Sequence, residues 1–94
     1  NQVQMNKDFA CPPHFDSSNT GTSTLVAFGD YLDGETCTYN EQLRKIEKYD
    51  AREKPIVFDG SRVLHWVKPP RRFGTRYSLV FFNNKSSMKK VTNV

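Results

Sequence analysis

FDGSRVLHWVKPPRRFGTRYSLVFF, running from Phe58 to Phe82, is the stretch whose reading decides the fold. Its β-branched and aromatic residues, punctuated by Gly and Pro and lacking a helical stripe, read as strands rather than helix. In an extended strand residues i and i+2 face the same side, so Arg76 and Ser78 share a face with Val80, while Tyr77, Leu79 and Phe81 share the other. The strand predicted over Thr75 to Asn83 therefore offers a guanidinium and a hydroxyl to an interior. Upstream, Gly60-Ser61 turns the chain into a strand over Arg62 to Val67, with Val63, His65 and Val67 on one face and Leu64 and Trp66 on the other. His65 is thus flanked by aliphatic residues, which suits a dry pocket. Pro69-Pro70 ends that strand and Gly74 supplies flexibility before the next.

The second informative stretch is PPHFDSSN, Pro12 to Asn19. Pro12-Pro13 removes two amide donors and fixes an extended approach into His14. The period of two lets His14 and Asp16 converge on one point, and His65, far along the chain, completes two imidazoles and one carboxylate. That donor set holds ferrous iron while leaving coordination positions open. An H-x-D alone is common, and a lone histidine between aliphatics is ordinarily a core residue. The ordered set of four, His14, Asp16, His65 and Arg76, in strand contexts is a stronger signal than any of its parts. Ser17, Ser18, Asn19, Thr20 and Gly21 read as a turn-rich bend whose side chains hold the Asp16 carboxylate.

The remaining chain is legible in outline. Residues 2 to 10 read as a leading strand or arm, and Thr22 to Tyr31 as a well-buried strand. Asp33-Gly34 predicts a tight hairpin into Glu35 to Tyr39. NEQLRKIEKYD, Asn40 to Asp50, reads as a charged excursion loop with at most a short helix, because Leu43 and Ile46 are its only aliphatics. Pro55 to Asp59 reads as a third buried strand, and residues 86 to 94 as an edge strand or a frayed end. Six or seven short strands with scarce helix signal predict an all-β sandwich or barrel.

Ninety-four residues allow one domain, residues 1–94, whose core is marginal unless metal or flanking sequence helps. The two cysteines, Cys11 and Cys37, are too few for a disulfide framework and lack zinc-site spacing, so reduced thiols in an intracellular, cytoplasmic or nuclear setting are expected. Cys11, three residues before His14, is a candidate soft ligand. The polar opening NQVQMNKDF has no signal-peptide character, and no apolar run is long enough to cross a bilayer. The net charge of +4 is uneven, with Lys68, Arg71 and Arg72 in one loop and Lys85, Lys89 and Lys90 in the tail. Such clusters fit a polyanion such as nucleic acid, and equally a solvated loop and end.

His14-x-Asp16, a distal His65 and Arg76-x-Ser78 resemble the signature of the Fe(II)/2-oxoglutarate-dependent dioxygenases. The wording around them, HFDSSNTGTSTLVAFGDYLDGE and then FDG, H and G-x-R-Y-S-L-V-F-F, is most similar to the branch holding the TET and JBP base hydroxylases. The resemblance implies a double-stranded β-helix, the cupin-like jelly roll, of which this chain would supply an incomplete core. It implies Fe(II) on His14, Asp16 and His65, and 2-oxoglutarate whose distal carboxylate meets Arg76 and Ser78. Dioxygen is then the co-reactant, and the prime substrate is hydroxylated. A nucleic-acid base is the favoured prime substrate, with Asn19, Lys68, Arg71 and Arg72 as candidate substrate or phosphate contacts. A protein side chain or small molecule is the other option, since fold and cosubstrate site do not fix the substrate. The hairpin departs from the family, reading Asp33-Gly34-Glu35 where Gly-Gly often precedes the acidic residue. The competing expectations are a non-enzymatic basic β-barrel that binds nucleic acid through the same loop, with Tyr77 or Trp66 as stacking faces, and a degenerate barrel serving as an interaction domain.

Overall fold

The computed structural model describes residues 2–70 and 74–84. Eight strands run β1 (Gln2–Lys7), β2 (Cys11–His14), β3 (Asn19–Gly29), β4 (Thr36–Asn40), β5 (Lys45–Tyr49), β6 (Ile56–Phe58), β7 (His65–Val67) and β8 (Arg76–Asn84). They form two antiparallel four-stranded sheets, ordered β1-β8-β3-β6 and β2-β7-β4-β5. Consecutive strands therefore change sheet at almost every connection, and only β4 and β5 follow one another within a sheet. The all-β expectation holds, with two sheets enclosing an interior.

The alternation predicted for the last strand is observed. Arg76 and Ser78 are buried while Tyr77, Leu79 and Phe81 lie on the less buried side of β8. Opposite them on β3, Leu25 pairs with Val80 and Ala27 with Ser78. Leu25, Ala27, Tyr31, Ala51 and Ile56 form the buried apolar core, with Tyr49, Phe58 and Val80 packed against it. Small residues face the polar ones, so the space beside Ser78 and Arg76 stays open. Gly29 pairs with Arg76 itself and sits at φ +118°, where a Cβ would overlap the Thr75 carbonyl oxygen. Only glycine lets β3 and β8 stay paired up to the guanidinium.

Several expectations are corrected. Asp33-Gly34 is no hairpin, because β3 and β4 lie in different sheets. Asp33 and Gly34 both have positive φ, 58° and 68°, and this left-handed pair carries the chain from one sheet to the other. The charged segment from Asn40 to Asp50 is not an excursion loop or helix but the β4–β5 hairpin, with Thr36 opposite Tyr49 and Asn40 opposite Lys45. Its alternation is faint because β5 is an edge strand whose Ile46 is exposed. The strand expected over Arg62 to Val67 is confined to His65–Val67, since Asp59 starts a turn that accepts the N–H groups of Arg62 and Val63. The bend at residues 17–21 is shorter than predicted, with β3 already under way at Asn19. The predicted tail element at 86 to 94 lies outside the described residues. Among the described residues, no helix is long and apolar enough to cross a membrane.

Candidate metal centre

His14 and His65 become neighbours through an irregular strand pair. β2 pairs with β7 so that Cys11 lies opposite Val67 and His14 opposite His65, with an extra residue on the β2 side between them. This bulge contains Pro12 and Pro13, which have no N–H to lose from the ladder. The two imidazole rings are brought to a centroid separation of 4.3 Å. Asp16 follows two residues beyond β2. Its N–H donates to the Gly60 carbonyl at 2.8 Å, and its own carbonyl accepts from the Asn19 N–H at 3.0 Å. The residue is thus gripped through its backbone, not by the hydroxyls of Ser17, Ser18 and Thr20 that the sequence suggested.

The side chains then meet. His65 Nε2 is 3.1 Å from Asp16 Oδ2 and His14 Nε2 is 3.3 Å from Asp16 Oδ1. All three ligand atoms lie within 4.8 Å of one another. Each imidazole directs its other nitrogen, Nδ1, at a backbone carbonyl 2.8 Å away, Pro12 for His14 and Val63 for His65. A neutral imidazole has one N–H, and a carbonyl can only accept, so donation from Nδ1 leaves Nε2 with its lone pair facing the carboxylate. A positive charge between these atoms, either a proton on an imidazole or a divalent cation, joins them: 3.1 and 3.3 Å are hydrogen-bond separations and also match cis ligands of an octahedral ion, which lie about 3 Å apart. Carbonyls behind both rings are the usual support for histidine ligands. The cluster is closed on one side and open on the other: the side chain of His65 is 7% exposed, those of His14 and Asp16 36%. Phe58 lies edge-on to His65 with centroids 4.8 Å apart and closes the inner wall.

The same cavity, about 340 Å³, reaches from this cluster to Arg76 and Ser78. Arg76 is 1% exposed, and its Nε and Nη2 meet no hydrogen-bond partner among the described residues. Those two N–H groups are the side-on fork that grips a carboxylate with parallel hydrogen bonds. A second guanidinium nearby shows the contrast. Arg52 stacks 3.9 Å over the Tyr31 ring and is neutralised by Asp50 at 2.8 Å, a pairing that holds the Asp50 carboxyl below its usual range. Arg76 lies 5.6 Å from the centroid of that ring. Burying a guanidinium whose Nε and Nη2 meet no partner among the described residues costs several kcal/mol, which binding of an anion there would offset. Thr36 and Ser23, whose buried hydroxyls meet no hydrogen-bond partner among the described residues, also line the cavity. A larger cleft of about 700 Å³ lies along edge strands β5 and β6, but neither histidine, Asp16 nor Arg76 lines it. The chemistry is concentrated in the smaller one.

Other predicted residues are placed less centrally. Asn19 lines the cavity. Lys68 is 3.9 Å from Glu35, and Arg71 and Arg72 lie outside the described residues. Tyr77 stacks on Phe28, with centroids 5.5 Å apart. Cys11 lines the cavity yet is not in the ligand cluster, and burial raises its thiol pKa, which disfavours the thiolate that would bind metal. Both cysteines are unpaired.

Sequence reading missed Asp8. Its Oδ1 accepts the backbone N–H of Arg76 at 2.8 Å while its own N–H donates to the Arg76 carbonyl at 2.7 Å. The two residues are 68 positions apart, so no local pattern signals the pair. Asp8→Ala should destabilise the protein by about 1–3 kcal/mol, the cost of an orphaned buried donor. Asp8→Asn, which keeps the acceptor oxygen, should recover most of that loss in thermal unfolding.

No protein-family model matches this chain, and no curated protein does.

Proposed function

We propose that the chain is the core of an Fe(II)- and 2-oxoglutarate-dependent dioxygenase. One observation carries the reading: a single cavity holds two imidazoles and a carboxylate at one end and a buried guanidinium with an unpaired fork at the other. The first end suits a cation, and the second, whose Nε and Nη2 meet no partner among the described residues, suits an anion. A metal-chelating diacid such as 2-oxoglutarate answers both.

The strand order supports the same reading. Two antiparallel four-stranded sheets ordered β1-β8-β3-β6 and β2-β7-β4-β5, with the chain passing back and forth between them, are the order expected if the fold is a double-stranded β-helix. Within it, His14, Asp16 and His65 would hold iron, leaving positions for the cosubstrate and dioxygen. Iron bound there would supply oxygen activation coupled to decarboxylation of 2-oxoglutarate to succinate, with hydroxylation of a prime substrate. The protein's own part is orientation. The two carbonyls fix the imidazole tautomers, Asp16 adds negative charge, Arg76 and Ser78 set the direction of the diacid, and Phe58 excludes water from behind His65. The prime substrate would enter where His14 and Asp16 are open. Phe9, Asn19 and the hydrogen-bonded amides of Gln4 and Asn6 also line the cavity, offering a ring face and paired donors and acceptors to a planar heterocycle such as a nucleic-acid base.

Anaerobic titration with Fe(II) and 2-oxoglutarate tests this. The expected result is a weak visible charge-transfer band that requires both components and saturates at one equivalent, with succinate formed on admitting air. Absence of the band at millimolar cosubstrate would refute the reading.

A further inference from the structure

We infer that Gly60 is a positioning residue for the metal centre, left without a side chain because the Asp16 carboxylate occupies that space. The inference rests on the metal-binding reading of His14, Asp16 and His65 and extends it to a residue outside the ligand set.

The geometry separates this glycine from the others. Unlike Gly21, Gly29 and Gly34, Gly60 does not hold a positive φ, so a left-handed backbone does not account for it. The turn around it is secured independently. Asp59 Oδ1 accepts from the Ser61 N–H at 3.1 Å and from the Ser61 hydroxyl at 2.7 Å, and the Asp59 carbonyl accepts from the N–H groups of Arg62 and Val63. Backbone freedom therefore does not explain a glycine here. What does is the contact that a Cβ would make: 2.8 Å to Asp16 Oδ2, closer than real Cβ atoms approach. The next atoms, Asp16 Cγ and His65 Cε1, are each at an ordinary 3.5 Å. The conflict is thus with one oxygen, the one that faces His65 Nε2 at 3.1 Å.

Asp16 cannot simply retreat. Its N–H is bound to the Gly60 carbonyl and its own carbonyl to the Asn19 N–H, so the clash must be relieved by rotating the carboxylate away from His65 or by shifting the turn. Shifting the turn moves the segment leading into His65, five residues on. Either response separates ligand atoms that now converge. The Asp59–Val63 turn thus serves two ligands at once, His65 along the chain and Asp16 across space.

The test is a double-mutant cycle read by Co(II) titration and by thermal unfolding of the metal-free proteins, with Co(II) alone as the probe. Gly60→Ala should weaken Co(II) binding by about 10- to 100-fold, the range for disturbing the support of a ligand, and should change the Co(II) visible spectrum. In an Asp16→Ala background the added methyl has no oxygen to meet, so Gly60→Ala, which should lower the metal-free melting temperature when Asp16 is present, should leave it unchanged there, since the two effects share one contact. Should Gly60→Ala fail to fold alone, recovery of a folded protein in the double variant supports the inference. Equal losses in both backgrounds, or misfolding in both, overturn it, because the damage then does not pass through Asp16. Wild-type protein that shows no Co(II) spectrum refutes the metal centre itself, and this inference with it. A normal wild-type spectrum with no effect of Gly60→Ala sinks the inference alone.

Discussion

Arg76→Met is expected to raise the stability of the ligand-free protein while removing its affinity for 2-oxoglutarate. The two effects have opposite signs because the guanidinium is 1% exposed and its Nε and Nη2 meet no hydrogen-bond partner among the described residues. Replacing buried charge by an apolar side chain of similar length is commonly neutral or stabilising by about 1–4 kcal/mol. At this chain length each kcal/mol raises the melting temperature by about 4–8 °C. Loss of the fork to a carboxylate should cost about 2–5 kcal/mol of binding, a factor of roughly 30 to several thousand in Kd. Arg76→Lys should lie between, since it keeps the charge and loses the planar fork. Differential scanning fluorimetry with and without 2-oxoglutarate reads both effects. If Arg76→Met melts lower than wild type and binds the diacid equally well, Arg76 is a structural residue.

His65→Ala should abolish Fe(II) binding at micromolar concentration, a loss of more than about a hundredfold, since disturbing even the support of a ligand costs up to that much. The Fe(II)/2-oxoglutarate band should vanish with it. His14→Ala should do the same, because the two Nε2 atoms and the carboxylate act as one chelating unit. Neither substitution should weaken direct binding of a simple dicarboxylate at Arg76, which measures the anion end of the cavity separately. A charge-transfer band that survives His65→Ala would remove His65 from the ligand set.

How much of this was readable before the fold was known depends on the distance over which each feature is determined. Strict alternation placed Arg76 and Ser78 on the buried face of β8, because the period of two is local and the opposite face is amphipathic enough to mark the difference. The convergence of His14 and Asp16 was likewise read from their spacing of two. The β4–β5 hairpin was not. An edge strand whose side chains are mostly charged carries no apolar alternation, and Arg44, at φ 53°, gives no glycine signal for its turn. The partners of the site residues were least legible. Asp8 on Arg76, Gly60 on Asp16 and Tyr31 beneath Arg76 are brought in by strands and turns from other parts of the chain, and nothing in their immediate neighbours records it.

The alternation of consecutive strands between sheets bears on how the chain acquires its structure. β1 must await β8, β2 must await β7, and β3 gains its first neighbour only with β6. A chain emerging from the ribosome has one strand pair within reach before Ile56 is available, the β4–β5 hairpin. Every other pairing among the described strands requires closing a long loop first, a topology typical of slow, millisecond-to-second folding. Acceleration or delay of folding should therefore track substitutions at Asn40 to Arg44, the one turn whose closure is cheap.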